Sequence, residues 1–226
     1  MELNLAEELL LLGLDDKSGD IILSATTALP YGIAGAMLLE LFLRDKADIV
    51  NDKVVVKDPS STGDELLDEV LHAINLKIEP QETKYWVRKI NSIVDNLIDR
   101  MIDKLVQKNI LKIEHKKILW LIPVDKYPMK DPLPTVHTRL MIRQIILEDG
   151  EPNRRTLALL SLVKASNLID ELFLKDERKQ ATNIIDDFIK NEKIGKAVSD
   201  INAEIMAVIA SSVAGTVAAA SVVGTY

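Results

Sequence analysis

The sequence predicts a mainly α fold: a central helix bundle around a buried helix, ringed by amphipathic helices, with one or two short β-hairpins. Three observations lead there. The stretch Arg154 to Phe173, RRTLALLSLVKASNLIDELF, carries apolar residues all round the helical wheel, and a helix without a polar face is one that its neighbours cover. From Trp86 to Lys108, apolar residues from Val87 and Ile90 to Leu105 and Val106 recur at helical spacing with charges between them, as in an amphipathic helix packed on a core. The runs Ile49 to Val56 and Ile110 to Ile122 fold back around Asn51-Asp52 and His115-Lys116 as strand pairs,.

The elements follow in order. Asn4 and Glu7 have capping-box spacing for a first helix, Leu5 to Leu12, which Gly13 helps to end,. Asp15 to Asp20 is a turn, and Ile21-Ile22-Leu23 is either a short strand or an extended segment,. Pro30 and Gly32 mark a break before a helix from Ile33 to Leu43. After the first hairpin, Thr62 and Glu65 suggest a capped helix reaching about Ile74, followed by a loop at Pro80 to Thr83 and the long helix Trp86 to Lys108,. Beyond the second hairpin, the proline-punctuated connection Pro123 to Pro134 leads into a helix from about Thr135 to Leu147, a turn, and the apolar helix Arg154 to Phe173,. A further amphipathic helix covers Glu177 to Phe188, and a final helix starts near Ser199 or Asp200.

The chain of 226 residues, 47% hydrophobic and 28% charged, reads as a single globular domain over 1–226,. Its end, about 205–226, is apolar and rich in Ala, Val, Ser and Gly. Residues so small supply little transfer energy to a bilayer, so this tail is read as a packed helix with a frayed or strand-like end rather than a membrane anchor. The amino terminus lacks the basic region and cleavage site of a signal peptide, which places the protein in the cytoplasm,.

A net charge of −7 argues against a broad phosphate-binding face,. There is no cysteine, and His72, His115 and His137 lack metal-ligand spacing, so no metal site and no cofactor are expected,. Nucleophile elbows, phosphate-binding glycine loops and dinucleotide fingerprints are all missing, so no catalytic residue is assigned. Gly32 and Gly35 either offer backbone N–H groups to an anion or allow close packing,. Trp86 and Trp120 are expected in the core before any interface.

Several segments together resemble the Golgi phosphoprotein 3 family of peripheral membrane proteins: LAEELLLLGLDD from Leu5, GAMLLELFLR from Gly35, TGDELLDEVLHAI from Thr62, DKLVQKNIL from Asp103 and NRRTLALLSLVKASNLIDELF from Asn153. The resemblance implies one mostly helical, non-enzymatic domain, a hairpin used in self-association, and binding of phosphatidylinositol 4-phosphate by a tryptophan and three arginines. Those four positions fall here on Ala25, Ala34, Asp95 and Ile98. All four gripping side chains are absent, and an Asp in such a place repels phosphate. The basic amino-terminal tail of some relatives is lacking too.

Arg44, Lys46, Arg100 and Lys104 remain as weaker candidates for contact with an anionic surface, and Ile118, Trp120 and Ile122 as candidates for self-association. The expected partners are an anionic membrane lipid or membrane-protein tails on the cytosolic face of a membrane, together with a second copy of the chain through its hairpin. Two alternatives stand beside this. One is a winged-helix-like nucleic-acid-binding or regulatory module built from the two helix-then-hairpin units, Gly32 to Val56 and Ile93 to Ile122, although the acidic balance makes nucleic acid the weaker partner. The other is a self-associating protein scaffold.

Overall fold

A computed structural model describes residues 2–118 and 122–190 together with residues 207, 210 and 211. Among these, helices dominate and two small antiparallel sheets sit at the edges. The expected mainly α architecture with short hairpins is what the chain adopts.

Helix α1, Leu5–Leu12, begins with the anticipated capping box: the Asn4 side chain accepts from the Glu7 N–H, and the Glu7 carboxylate accepts from the Asn4 N–H. The segment Ile21 to Leu23 resolves into a single bridge between Leu14 and Ile21 and then a 3-10 turn, Leu23–Ala25. Helix α2, Leu29–Leu43, starts four residues earlier than the proline suggested, because Pro30 occupies its first turn, where a missing N–H costs nothing,.

The buried centre is shared. Every residue of α2 from Gly32 to Leu41 is buried, and α2 packs against α1, against α4, Thr83–Ile93, and against α7, Arg154–Ala165. Arg154 to Phe173 is buried as expected over Thr156 to Val163, but it is not one rod. Helix α7, Arg154–Ala165, stops at Asn167, and a single turn, α8, Ile169–Leu172, follows. The stop is a Schellman motif: the Leu168 N–H donates to the Val163 carbonyl at 3.0 Å and the Asn167 N–H to the Lys164 carbonyl at 3.2 Å,. Asn167 stands at φ 58°, the left-handed conformation that glycine usually supplies there,.

Asn and Asp fill this role repeatedly. Among the described residues, each non-glycine residue with positive φ is one of the two: Asp45, Asn51, Asp52, Asn96, Asn109, Asp149 and Asn167. Their short polar side chains tolerate the left-handed region better than other L-residues. Asn51 and Asp52 form the tight turn between β1, Ala47–Val50, and β2, Lys53–Val56, a pair of positive φ values that suits the strand twist,. A third strand, β3, Gln81–Glu82, joins β2 where a loop had been expected.

Helix α3, Glu65–Asn75, is capped by Asp64, whose carboxylate accepts from the Leu66 and Leu67 N–H groups. Thr62 is therefore not the cap. Its hydroxyl braces the approach, accepting from the Asp64 N–H and donating to Asp68.

The largest departure falls between Trp86 and Lys108. The apolar period is unbroken, yet the chain forms two helices, α4, Thr83–Ile93, and α5, Leu97–Gln107. Val94 is extended and Asn96 takes φ 51°, which redirects the backbone while Val94 and Leu97 stay buried. Core contacts on both sides of the corner thus preserve the pattern that reads as one helix. Asn96→Gly is expected to leave stability within about 0.5 kcal/mol of the parent, and Asn96→Val to cost about 1–2 kcal/mol in urea unfolding.

The second hairpin is displaced along the chain from its expected place. Strands β4, Glu114–Ile118, and β5, Ile122–Lys126, pair from Glu114↔Lys126 to Ile118↔Ile122, so His115 and Lys116 lie inside a strand rather than at the turn. Ile110 and Leu111 are buried against the end of α5, where Asn109 turns the chain. Helix α6, Leu133–Leu147, carries Pro134 in its first turn, and α9, Arg178–Lys190, closes the bundle against α6, α7 and α8. The expected final helix and most of the apolar tail lie outside the described residues.

Candidate functional site: a cleft between α2, α4 and α5

The corner at Asn96 opens a cleft of about 620 Å³, within the range of small-ligand sites,. Thr27, Pro30 and Tyr31 at the start of α2 form one wall, and Arg88, Asn91 and Ser92 of α4 form the second. The first turn of α5, Asn96 to Asp99, forms the third. Asn91 holds the walls together by donating to the Pro30 carbonyl at 3.0 Å. Arg88 donates to the Ser211 hydroxyl at 2.9 Å, which brings Ser211 to the rim.

Of the four positions that the family resemblance implies for the head group, one lines this cleft and one stands beside it. Ile98 lines it, and Asp95 is exposed in the corner beside it. Ala25 and Ala34 belong to the turn before α2 and to α2 itself, and both are fully buried, so each offers a methyl group where a long side chain would have to reach outward. Neither Asp95 nor Asp99 takes part in an ion pair among the described residues, and both are exposed. Sequence reasoning did not single out Arg88, Asn91, Asn96 or Asp99. Their only signal was a polar strip on an otherwise routine helix, and the corner that converges them was hidden.

The four cations named as anionic-contact candidates are engaged within the protein. Arg44 donates to Glu40 at 2.7 Å, and Lys46 to Asp58 and Ser60 at 2.6 Å each. Arg100 pairs with Glu65 and Glu69 of α3, and the Glu69 carboxylate beside it raises its pKa further. Lys104 pairs with Asp64 at 2.6 Å. Burial would push the Asp64 carboxyl up, but Lys104 and the capped N–H groups outweigh it and hold it below the ordinary range.

At the second hairpin, Ile118 and Ile122 face each other across the ladder, while Trp120 lies outside the described residues. Four basic residues at or beside this hairpin have acidic neighbours: Lys112 and Lys116 pair with Glu114, Lys126 with Asp20, and His115 meets its cross-strand partner Asp125 at 2.6 Å. No group of three or more metal-ligating side chains forms among the described residues. Nor, among them, is any helix long and apolar enough to cross a membrane.

Comparison with known proteins gives two results. The Golgi phosphoprotein 3 (GPP34) family model matches residues 5–205. The chain is also similar to the vacuolar protein sorting-associated protein 74 of Eremothecium gossypii, 38% identical over 80 residues. That match covers 30% of this chain and spans about a quarter of the relative, 24% of its length.

Proposed function

The chain belongs to the Golgi phosphoprotein 3 (GPP34) family, and from that premise we propose that it is a non-catalytic adaptor that sits peripherally on a membrane through the face bearing the α2–α4–α5 cleft. The observation that carries this reading is the cleft itself. Ile98 lines it and Asp95 stands beside it, so two of the four positions that the resemblance implies for a head group bear no cation there. A phosphoinositide is held by several charge-assisted bonds at once, and Ala25, Ala34, Asp95 and Ile98 provide none,. The membrane contact is therefore independent of phosphatidylinositol 4-phosphate.

Two observations weigh against the nucleic-acid alternative: the net charge of −7 and the acidic partners of the hairpin lysines,. Co-sedimentation with phosphatidylcholine vesicles tests the reading. Pelleting is expected, with less than a twofold change when phosphatidylinositol 4-phosphate is included. The double variant Asp95→Arg/Ile98→Arg is expected to make pelleting rise at least fivefold with that lipid. Negligible pelleting under every condition would remove the membrane role.

A further inference from the structure

We infer that the cleft receives a zwitterionic head group of the phosphocholine type, its phosphate at Arg88 and its trimethylammonium at Asp99 and Tyr31; this rests on the cleft being the membrane-facing site. Among the described residues the lining contains one cation and one anion, Arg88 on α4 and Asp99 at the first turn of α5. A site with both charges on different walls matches a ligand that carries both, and it repels a second phosphate.

The acidic side is not local to Asp99. Asp95 is exposed in the corner before α5, and Asp99 and Asp103 stand four residues apart on its exposed face,. Their field is felt at Tyr127, whose phenol is pushed up by burial first and then by Asp125, Asp103 and Asp99. These carboxylates disfavour a polyanion at the rim and favour a cation.

A quaternary ammonium fits better than a small hydrated cation because the remaining lining is aromatic and apolar. Tyr31, Pro30, Leu97 and Ile98 provide an aromatic ring and aliphatic surface for methyl groups, and recognition of choline-like cations relies on aromatic faces next to carboxylates,. Asn96 and Thr27 add neutral groups for the phosphate and glycerol oxygens.

Titration of the full chain with sn-glycero-3-phosphocholine, read by amide chemical shifts, is expected to perturb the cleft residues. It is expected to give binding at least tenfold tighter than inositol 1,4-bisphosphate. Asp99→Asn and Arg88→Gln should each weaken it at least fivefold, while Asp99→Asn, at an exposed position, leaves the melting temperature unchanged. Equal or tighter binding of the bisphosphate, no shifts at the cleft, or an unaltered affinity in Asp99→Asn would overturn the assignment.

Phosphatidylcholine vesicles form the second arm. Soluble binding together with pelleting supports a lipid head group as the ligand. Pelleting without soluble binding leaves the membrane role standing and overturns this one. Soluble binding without pelleting overturns the lipid as the source and the membrane role with it.

Discussion

Replacing Glu40 by alanine is expected to lower the free energy of unfolding by about 2–4 kcal/mol, because it leaves the buried Leu5 N–H without its acceptor and removes charge-assisted hydrogen bonds from Arg155 and Arg44,. Glu40 sits on α2 with its side chain 4% exposed. Its carboxylate accepts from the Leu5 N–H at 2.9 Å, from Arg155 of α7 at 2.8 Å and from Arg44 at 2.7 Å. One side chain thus caps the entry to α1 and ties α2 to α7. Arg155 reaches Glu8 and the Leu3 carbonyl as well, so the amino-terminal helix is clamped from two directions.

Glu40→Gln should recover much of the loss, since its amide oxygen still accepts from the Leu5 N–H and Arg155 keeps its partner Glu8,. Urea unfolding of the three proteins checks this, and a Glu40→Ala midpoint close to that of the parent would refute the clamp.

The same residue predicts a pH dependence. Burial alone would raise the Glu40 carboxyl, but the Leu5 N–H, Arg155 and Arg44 together hold it below its ordinary value of 4.5. A depressed folded-state pKa stabilises the fold above the unfolded value, and that contribution disappears as pH falls through the folded one. Glu8 behaves oppositely: burial outweighs Arg155 and its carboxyl is raised. Its contribution is therefore present at low pH and lost as pH rises through the raised value. Below pH 4.5 the parent is expected to lose stability more steeply than Glu40→Ala, and the difference between the two curves isolates Glu40.

Gly32→Ala is the second large effect. A Cβ on Gly32 would lie 2.1 Å from the Ser166 Oγ and 3.1 Å from a Leu9 methyl, in a region where all three residues are buried. The crossing of α1, α2 and the end of α7 therefore admits a hydrogen atom and nothing larger. Overpacking of this kind costs about 1–3 kcal/mol. Ser166 is a useful counterpart because its hydroxyl is fully buried and has no hydrogen-bond partner among the described residues. Ser166→Ala alone is expected to be neutral or stabilising, and in combination with Gly32→Ala it should restore more than half of the loss. Additive effects in the double variant would show that the two sites do not touch.

Close approach was one of two readings left open for Gly32, and the contact with Ser166 accounts for that glycine. The capping box at Asn4 and Glu7, the first hairpin at Asn51-Asp52 and the buried face of α7 were equally legible, since each depends on residues a few positions apart. The corner at Asn96 was not. Val94 and Leu97 lie on either side of it and are both buried, so the apolar period runs straight through a break in the helix. Nor was the shift of the second hairpin, because Ile110 and Leu111 resemble strand residues yet anchor the end of α5.

The sequence by itself determined the family, the helical character and the local caps, because these are properties of neighbouring residues and of side-chain chemistry. Only the tertiary structure decided which helices break, that Arg44, Lys46, Arg100 and Lys104 are held in internal ion pairs, and that Arg88 and Asp99 share one cleft. Those outcomes depend on contacts between residues far apart in the chain, where burial and charge pairing outweigh local propensity.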